Sequence, residues 1–225
     1  MAARHVARTA AWSIACVATP IALRSALGRP WGAIGFAIVL VATLALVLWL
    51  PRSAHSAFTA GAIGRALRRY RLCRALAFTA RRERAAELSR SACLLDANRG
   101  ADAEAVLATL DVNALDPSER VVYLNNRAWA ALDAERDPHA ALALVDEATA
   151  LRPDVPAVQH TRARALLAVG RVDDAISVLD AMHAGGELPP RLEAIRCRDL
   201  ATAWERKGQP AYADDYRDRA RLHAS

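Results

Sequence analysis

Between Pro30 and Pro51 the chain reads PWGAIGFAIVLVATLALVLWLP, and no charged residue interrupts it. Thr43 is its one clearly polar side chain. About 20 such residues, rising ~1.5 Å each, cover a ~30 Å hydrocarbon core as a single helix. A buried helix of a soluble protein rarely stays apolar on every side for this length. Trp31 and Trp49 stand near the two ends, where amphipathic rings favour the headgroup level, and Arg29 and Arg52 bracket the run. The run reads as a membrane span over residues 31–50. In lipid the backbone must satisfy its own hydrogen bonds, so a lone span of this kind has to be helical.

A shorter charge-free stretch, TAAWSIACVATPIAL at residues 9–23, precedes it between Arg8 and Arg24. It is short for a span and contains Pro20, but Arg8 and Arg24 can snorkel and extend its reach. A signal peptide would also follow a basic start such as MAARHVAR, yet no good A-x-A cleavage site comes after it. The expected anchor is a hairpin of two spans, 9–24 and 31–50, with a single transmembrane helix as the alternative. Arg52, Arg65, Arg68, Arg69 and Arg71 fall within about 20 residues of the second span, the window in which positive charge sets orientation. The loop between the spans has only Arg24 and Arg29. Both termini are therefore expected in the cytoplasm, with the chain in a bacterial inner (cytoplasmic) membrane.

Charge divides along the chain. Residues 1–84 hold 13 Arg and one acid, Glu83, for 13 − 1 = +12. Residues 85–225 hold the other 17 basic residues against 23 acids, for 17 − 23 = −6. Two halves so different suit two environments. Residues 53–84 carry eight arginines between Arg65 and Arg84, interleaved with Leu67, Leu72, Leu76 and Phe78. They read as a basic juxtamembrane helix. Arg65, Arg68, Arg69, Arg71 and Arg74 are candidate contacts for anionic lipid, at about 1 kcal/mol per basic residue near the surface. Setting topology is the competing role for these arginines. Nucleic acid is not expected as a partner, because no reading motif accompanies the charge.

Beyond residue 85 the chain repeats itself. Ala105, Ala141, Ala175 and Ala213 are 36, 34 and 38 residues apart. Gly100, Gly170 and Gly208 each stand five residues before one of them, and Asp137–Pro138 takes that place in the remaining copy. Pro117 and Pro153 stand twelve residues after two of them, and Ala92, Ala128, Ala163 and Ala201 lie twelve or thirteen before. A glycine supplies the left-handed residue that ends a first helix. Asp137–Pro138 and Asp116–Pro117 suit an N-cap followed by a first helical residue. Paired alanines let two antiparallel helices approach closely. Leu142, Val145, Ile176 and Leu179 recur at helical spacing, and one hairpin cannot bury them alone, so neighbouring hairpins must stack.

These landmarks resemble the tetratricopeptide repeat family, whose pattern runs W-x₂-L-G-x₂-Y…A-x₃-F…P over about 34 residues. The second-helix alanine and the proline match. The first-helix glycine is replaced by Ala92, Ala128, Ala163 and Ala201, and at the tyrosine position only Trp204 is aromatic. The resemblance implies an all-α chain: the anchor at 1–52, the basic helix at 53–84, and an α-solenoid over 85–225. The solenoid would hold about four antiparallel helix pairs, near 85–115, 118–151, 154–186 and 189–223. It further implies a concave face lined by first-helix residues, among them Ser89, Cys93, Asn125, Asn126, Trp129, His160, Arg164, Arg198 and Thr202. Family members use such positions to hold an extended peptide, and Arg164 and Arg198 suit a carboxylate.

Catalytic constellations are missing from the sequence. The six histidines are dispersed, and no H-E-x-x-H, P-loop, G-x-S-x-G or G-x-G-x-x-G context occurs. Cys16, Cys73, Cys93 and Cys197 form no C-x-x-C pair and read as free thiols. No cofactor, metal or enzymatic activity is expected. The function expected is a membrane-anchored scaffold for an unknown protein or peptide partner, with membrane lipid as its second contact. The alternative is a structural or accessory subunit of a membrane complex, or of an envelope or cofactor biosynthesis enzyme, assembled through its transmembrane helices. Two spans followed by such repeats also resemble the layout of a bacterial haem-biosynthesis-associated membrane protein, though no residue here supports haem binding.

Overall fold

The computed structural model describes residues 2–27, 29–133 and 137–223, and these residues contain helices and no strand. They fall into two compact units, Met1–Ala97 and Asn98–Ser225.

In the first unit α1 (Ala2–Leu27) packs on α2 (Arg29–Leu44). Gly32 allows this approach: a Cβ there would meet the Arg24 Cβ at 2.8 Å and the Pro20 carbonyl at 3.3 Å. Gly28, its partner in the G-x-x-x-G spacing, lies outside the described residues. The helix runs on through a π-helical turn, Ala45–Trp49, into α3 (Leu50–Thr59). Pro51 accounts for that turn. It has no N–H for the carbonyl four residues back, and its ring crowds that carbonyl. Trp31–Thr59 is, among the described residues, the helix long and apolar enough to cross a membrane. Its Phe36, Ile38, Val41 and Leu48 point away from protein, as do Ile14, Val17 and Ile21 of α1.

The helix α4 (Ile63–Ala75) folds back on α3 after a left-handed Gly61, and α5 (Ala80–Asp96) folds back on α4. Thr79 caps α5, its hydroxyl accepting from the Arg82 N–H. Tyr70, Leu67, Leu88, Leu94 and Leu95 supply the buried contacts.

The second unit begins with α6 (Gly100–Leu107). It continues as three helix pairs: α7 (Pro117–Asp133) with α8 (Pro138–Leu151), α9 (Pro156–Ala168) with α10 (Val172–Ala181), and α11 (Pro190–Arg206) with α12 (Pro210–Leu222). Each helix packs on the next, and the first helices also touch one another, α7 with α9 and α9 with α11. This is the α-solenoid that the repeats called for.

Local chemistry sets each boundary. Asp116 and Glu119 form a capping box: the Glu119 N–H donates to Asp116 Oδ1 at 2.9 Å, and the Asp116 N–H to Glu119 Oε2 at 3.0 Å. Asp137 accepts from the Ala140 N–H at 2.9 Å, with Pro138 behind it in the first turn. Gly170 (φ 81°) and Gly208 (φ 71°) close α9 and α11 with paired bonds. The Arg171 N–H reaches the Leu166 carbonyl and the Gly170 N–H the Leu167 carbonyl, a Schellman motif. The stack is then filled by Ala163, Leu166, Ala175, Leu179 and Leu200, closed over by Leu142, Trp204 and Tyr216 from neighbouring pairs.

One landmark is out of phase. Gly100 does not end α5; it starts α6, and the left-handed residue is Asn98 (φ 54°). Counting five from Asn98 reaches Ala103, which is fully buried, whereas Ala105 is exposed. Asparagine tolerates the left-handed region better than other residues with a side chain, so it can replace glycine here.

Candidate protein-interaction face

The expected groove residues lie on α7, α9 and α11. Trp129, His160 and Arg164 come together. The Trp129 and His160 ring centroids are 5.5 Å apart, and the Arg164 guanidinium lies over the Trp129 ring at 4.8 Å. An arginine over tryptophan is a favoured cation–π contact that keeps most of its N–H donors free for another group. His160 itself is buried, and its Nε2 is 2.7 Å from Asp199 Oδ2 on α11. It joins the two first helices and orients the tryptophan beside it.

Asn126 is also buried, while Asn125 is half-buried and its Oδ1 has no hydrogen-bond partner. Arg198 and Thr202 are exposed on α11, one turn apart, with the Thr202 hydroxyl donating to the Arg198 carbonyl. Of the seven groove candidates, then, two are interior supports, and Asn125, Trp129, Arg164, Arg198 and Thr202 keep surface. Ser89 and Cys93 belong to α5 in the first unit, where Cys93 is fully buried. Asp199 is the member that sequence reasoning missed. Its signal was weak, one of three acids among four arginines along α11.

The five arginines proposed for lipid divide similarly. Arg65, Arg68 and Arg71 are exposed on α4. Arg69 donates to the Ser53 carbonyl at 2.7 Å and covers the Trp49 ring. Arg74 pairs with Glu87 and, at 3.7 Å, with Glu83 on α5. These two brace the neck of the first unit.

Titration is perturbed mainly in a structural cluster between α10 and α11. Arg196 grips Glu193 through two bonds of 2.7 and 2.8 Å and reaches the Leu179 carbonyl. That grip holds the Glu193 carboxyl down at about 2, while burial and the adjacent carboxylate push the Cys197 thiol up to about 11. A thiol held protonated is a poor nucleophile. Cys73, Cys93 and Cys197 are in no disulfide; the Cys16 side chain lies outside the described residues. No group of three or more His, Cys, Asp or Glu able to hold a metal occurs among the described residues.

Stacked antiparallel pairs with a row of first-helix side chains define a helical-repeat protein built to present a surface. Residues 134–185, from the approach to α8 through α10, match the tetratricopeptide repeat family. No curated protein matches the chain. A solved structure titled "MamA MSR-1 C2" is similar at 14% identity, over 80% of this chain and 97% of its own, with a TM-score of 0.46.

Proposed function

We propose that the chain is a membrane-anchored, non-enzymatic scaffold. Its repeats hold an extended, carboxylate-bearing segment of a partner protein at the cytoplasmic face of a bacterial inner membrane. The observation that carries this reading is the Arg164 guanidinium laid over Trp129, with no carboxylate partner among the described residues. Fixed on an aromatic ring, it is ready to meet an incoming acid at little ordering cost. Asn125, half-buried one turn before Trp129 on the same helix, lies beside this pair. Arg198 and Thr202 extend the row. The charge-free run over 31–50 supports the anchor, and the arginine excess after it supports a cytoplasmic repeat domain.

Affinity capture from solubilised membranes tests the groove. Asn125→Ala combined with Arg164→Ala is expected to weaken partner capture by about 2 kcal/mol, or roughly thirtyfold, leaving the fold intact. Unchanged capture would sink the groove reading.

A further inference from the structure

The first unit contains a cleft of about 610 Å³ beside the end of the apolar helix. Leu46, Leu50, Leu76 and Phe78 give it hydrocarbon lining, and Arg52, His55, Arg81 and Arg82 give it polar lining. Among the described residues no aspartate or glutamate lines it.

Pro51 builds the cationic lining. The Val47 carbonyl, four residues before it, has lost its usual N–H donor. Arg82, from α5, supplies the replacement, its Nη1 donating to that oxygen at 3.2 Å. Arg52 Nη1 donates to the next carbonyl, Leu48, at 2.8 Å. Two guanidiniums are thus tethered to consecutive carbonyls of one π-helical turn, each spending one of five N–H donors. Among the described residues no carboxylate pairs with either. Like charges fixed close together call for a counter-ion. Their level is where the charge-free run ends, the depth of lipid headgroups. π-Helical turns recur at functional sites.

We infer that this cleft binds one anionic phospholipid. Arg52 and Arg82 take the phosphate, and an acyl chain lies along Leu46, Leu50, Leu76 and Phe78. The inference rests on the reading that the chain sits in a membrane. It differs from diffuse attraction by the exposed Arg65, Arg68 and Arg71, because it fixes stoichiometry and a defined slot. Free phosphate shares the headgroup chemistry but leaves the hydrocarbon lining uncovered.

The test uses the full chain in nanodiscs of equal parts phosphatidylglycerol and phosphatidylcholine, released and weighed by native mass spectrometry. One phosphatidylglycerol should stay bound per chain, and millimolar inorganic phosphate should not displace it. Arg52→Gln with Arg82→Gln should lower its retention about thirtyfold. Leu76→Glu, at an exposed position that leaves the carbonyl tethers alone, should do the same. Arg65→Gln with Arg68→Gln should leave it unchanged. Equal retention of phosphatidylcholine, displacement by phosphate, or retention unaffected by both cleft variants would overturn the proposal. Alkaline carbonate washing of native membranes reads the anchor separately. Wild type and the Arg52/Arg82 variant should both stay in the pellet, and a wild type stripped by the wash contradicts the anchor itself.

Discussion

Glu193 and Arg196 show how much a single buried pair can hold. The pair is nearly enclosed, and Arg196 also satisfies the Leu179 carbonyl at the end of α10. Removing one partner strands the other charge, so Arg196→Met should destabilise the repeat unit by about 3 kcal/mol in denaturant titration at neutral pH. The pH dependence has a definite sign. The folded Glu193 carboxyl sits at about 2 against an ordinary 4.5, so its contribution is full above about 4.5 and is lost as pH falls through about 2. Glu193→Gln should flatten that part of the acid-unfolding profile, and an unchanged profile would show that the pair carries no such linkage. Neither residue stands out in the sequence, where both read as ordinary charges of a helix of mixed sign. Trp129 and Arg164 were legible because first-helix positions of a repeat share one face. The inward turn of His160 was not, since it depends on Asp199, 39 residues away in the chain.

At the scale of elements, the turn residues were the most readable part of the chain. Gly170 and Gly208 adopt positive φ, where other residues are strained, and each is followed within two residues by a new helix. A Cβ at Gly170 meets nothing within 4 Å, so its cost is conformational and free of steric clash. Gly170→Ala should therefore cost about 1 kcal/mol, and Gly64→Ala, inside α4 and equally unobstructed, should be neutral or slightly stabilising. A thermal melt that ranks the two the other way would contradict this account of the turns. The first repeat was misphased because Gly100 looked like its counterparts. The left-handed turn is made two residues earlier by Asn98, and sequence spacing alone does not separate a glycine that ends one helix from a glycine that begins the next. The cleft at Pro51 was hidden for a similar reason. A proline four residues after Val47 announces a released carbonyl, but which side chain answers it depends on how α5 folds back.

For the whole molecule, the division of charge marks a division of labour. The first 84 residues concentrate arginine around an apolar helix, and the remaining 141 carry the acidic repeats. The repeats were legible as a solenoid because stacking is what their apolar spacing requires. Partner identity was not, since the repeated landmarks are turns and packing residues and carry no partner chemistry. On the function proposed above, the repeats recognise the partner protein and the anchor holds them at the membrane. Site-specific photocrosslinking from position 198 in native membranes tests it most directly, with residues 1–52 exchanged for an unrelated two-span anchor. The crosslinked partner should persist after the exchange and fade when Arg164→Ala is added. Loss of the partner on exchange of the anchor alone would place recognition in the transmembrane helices and contradict the account.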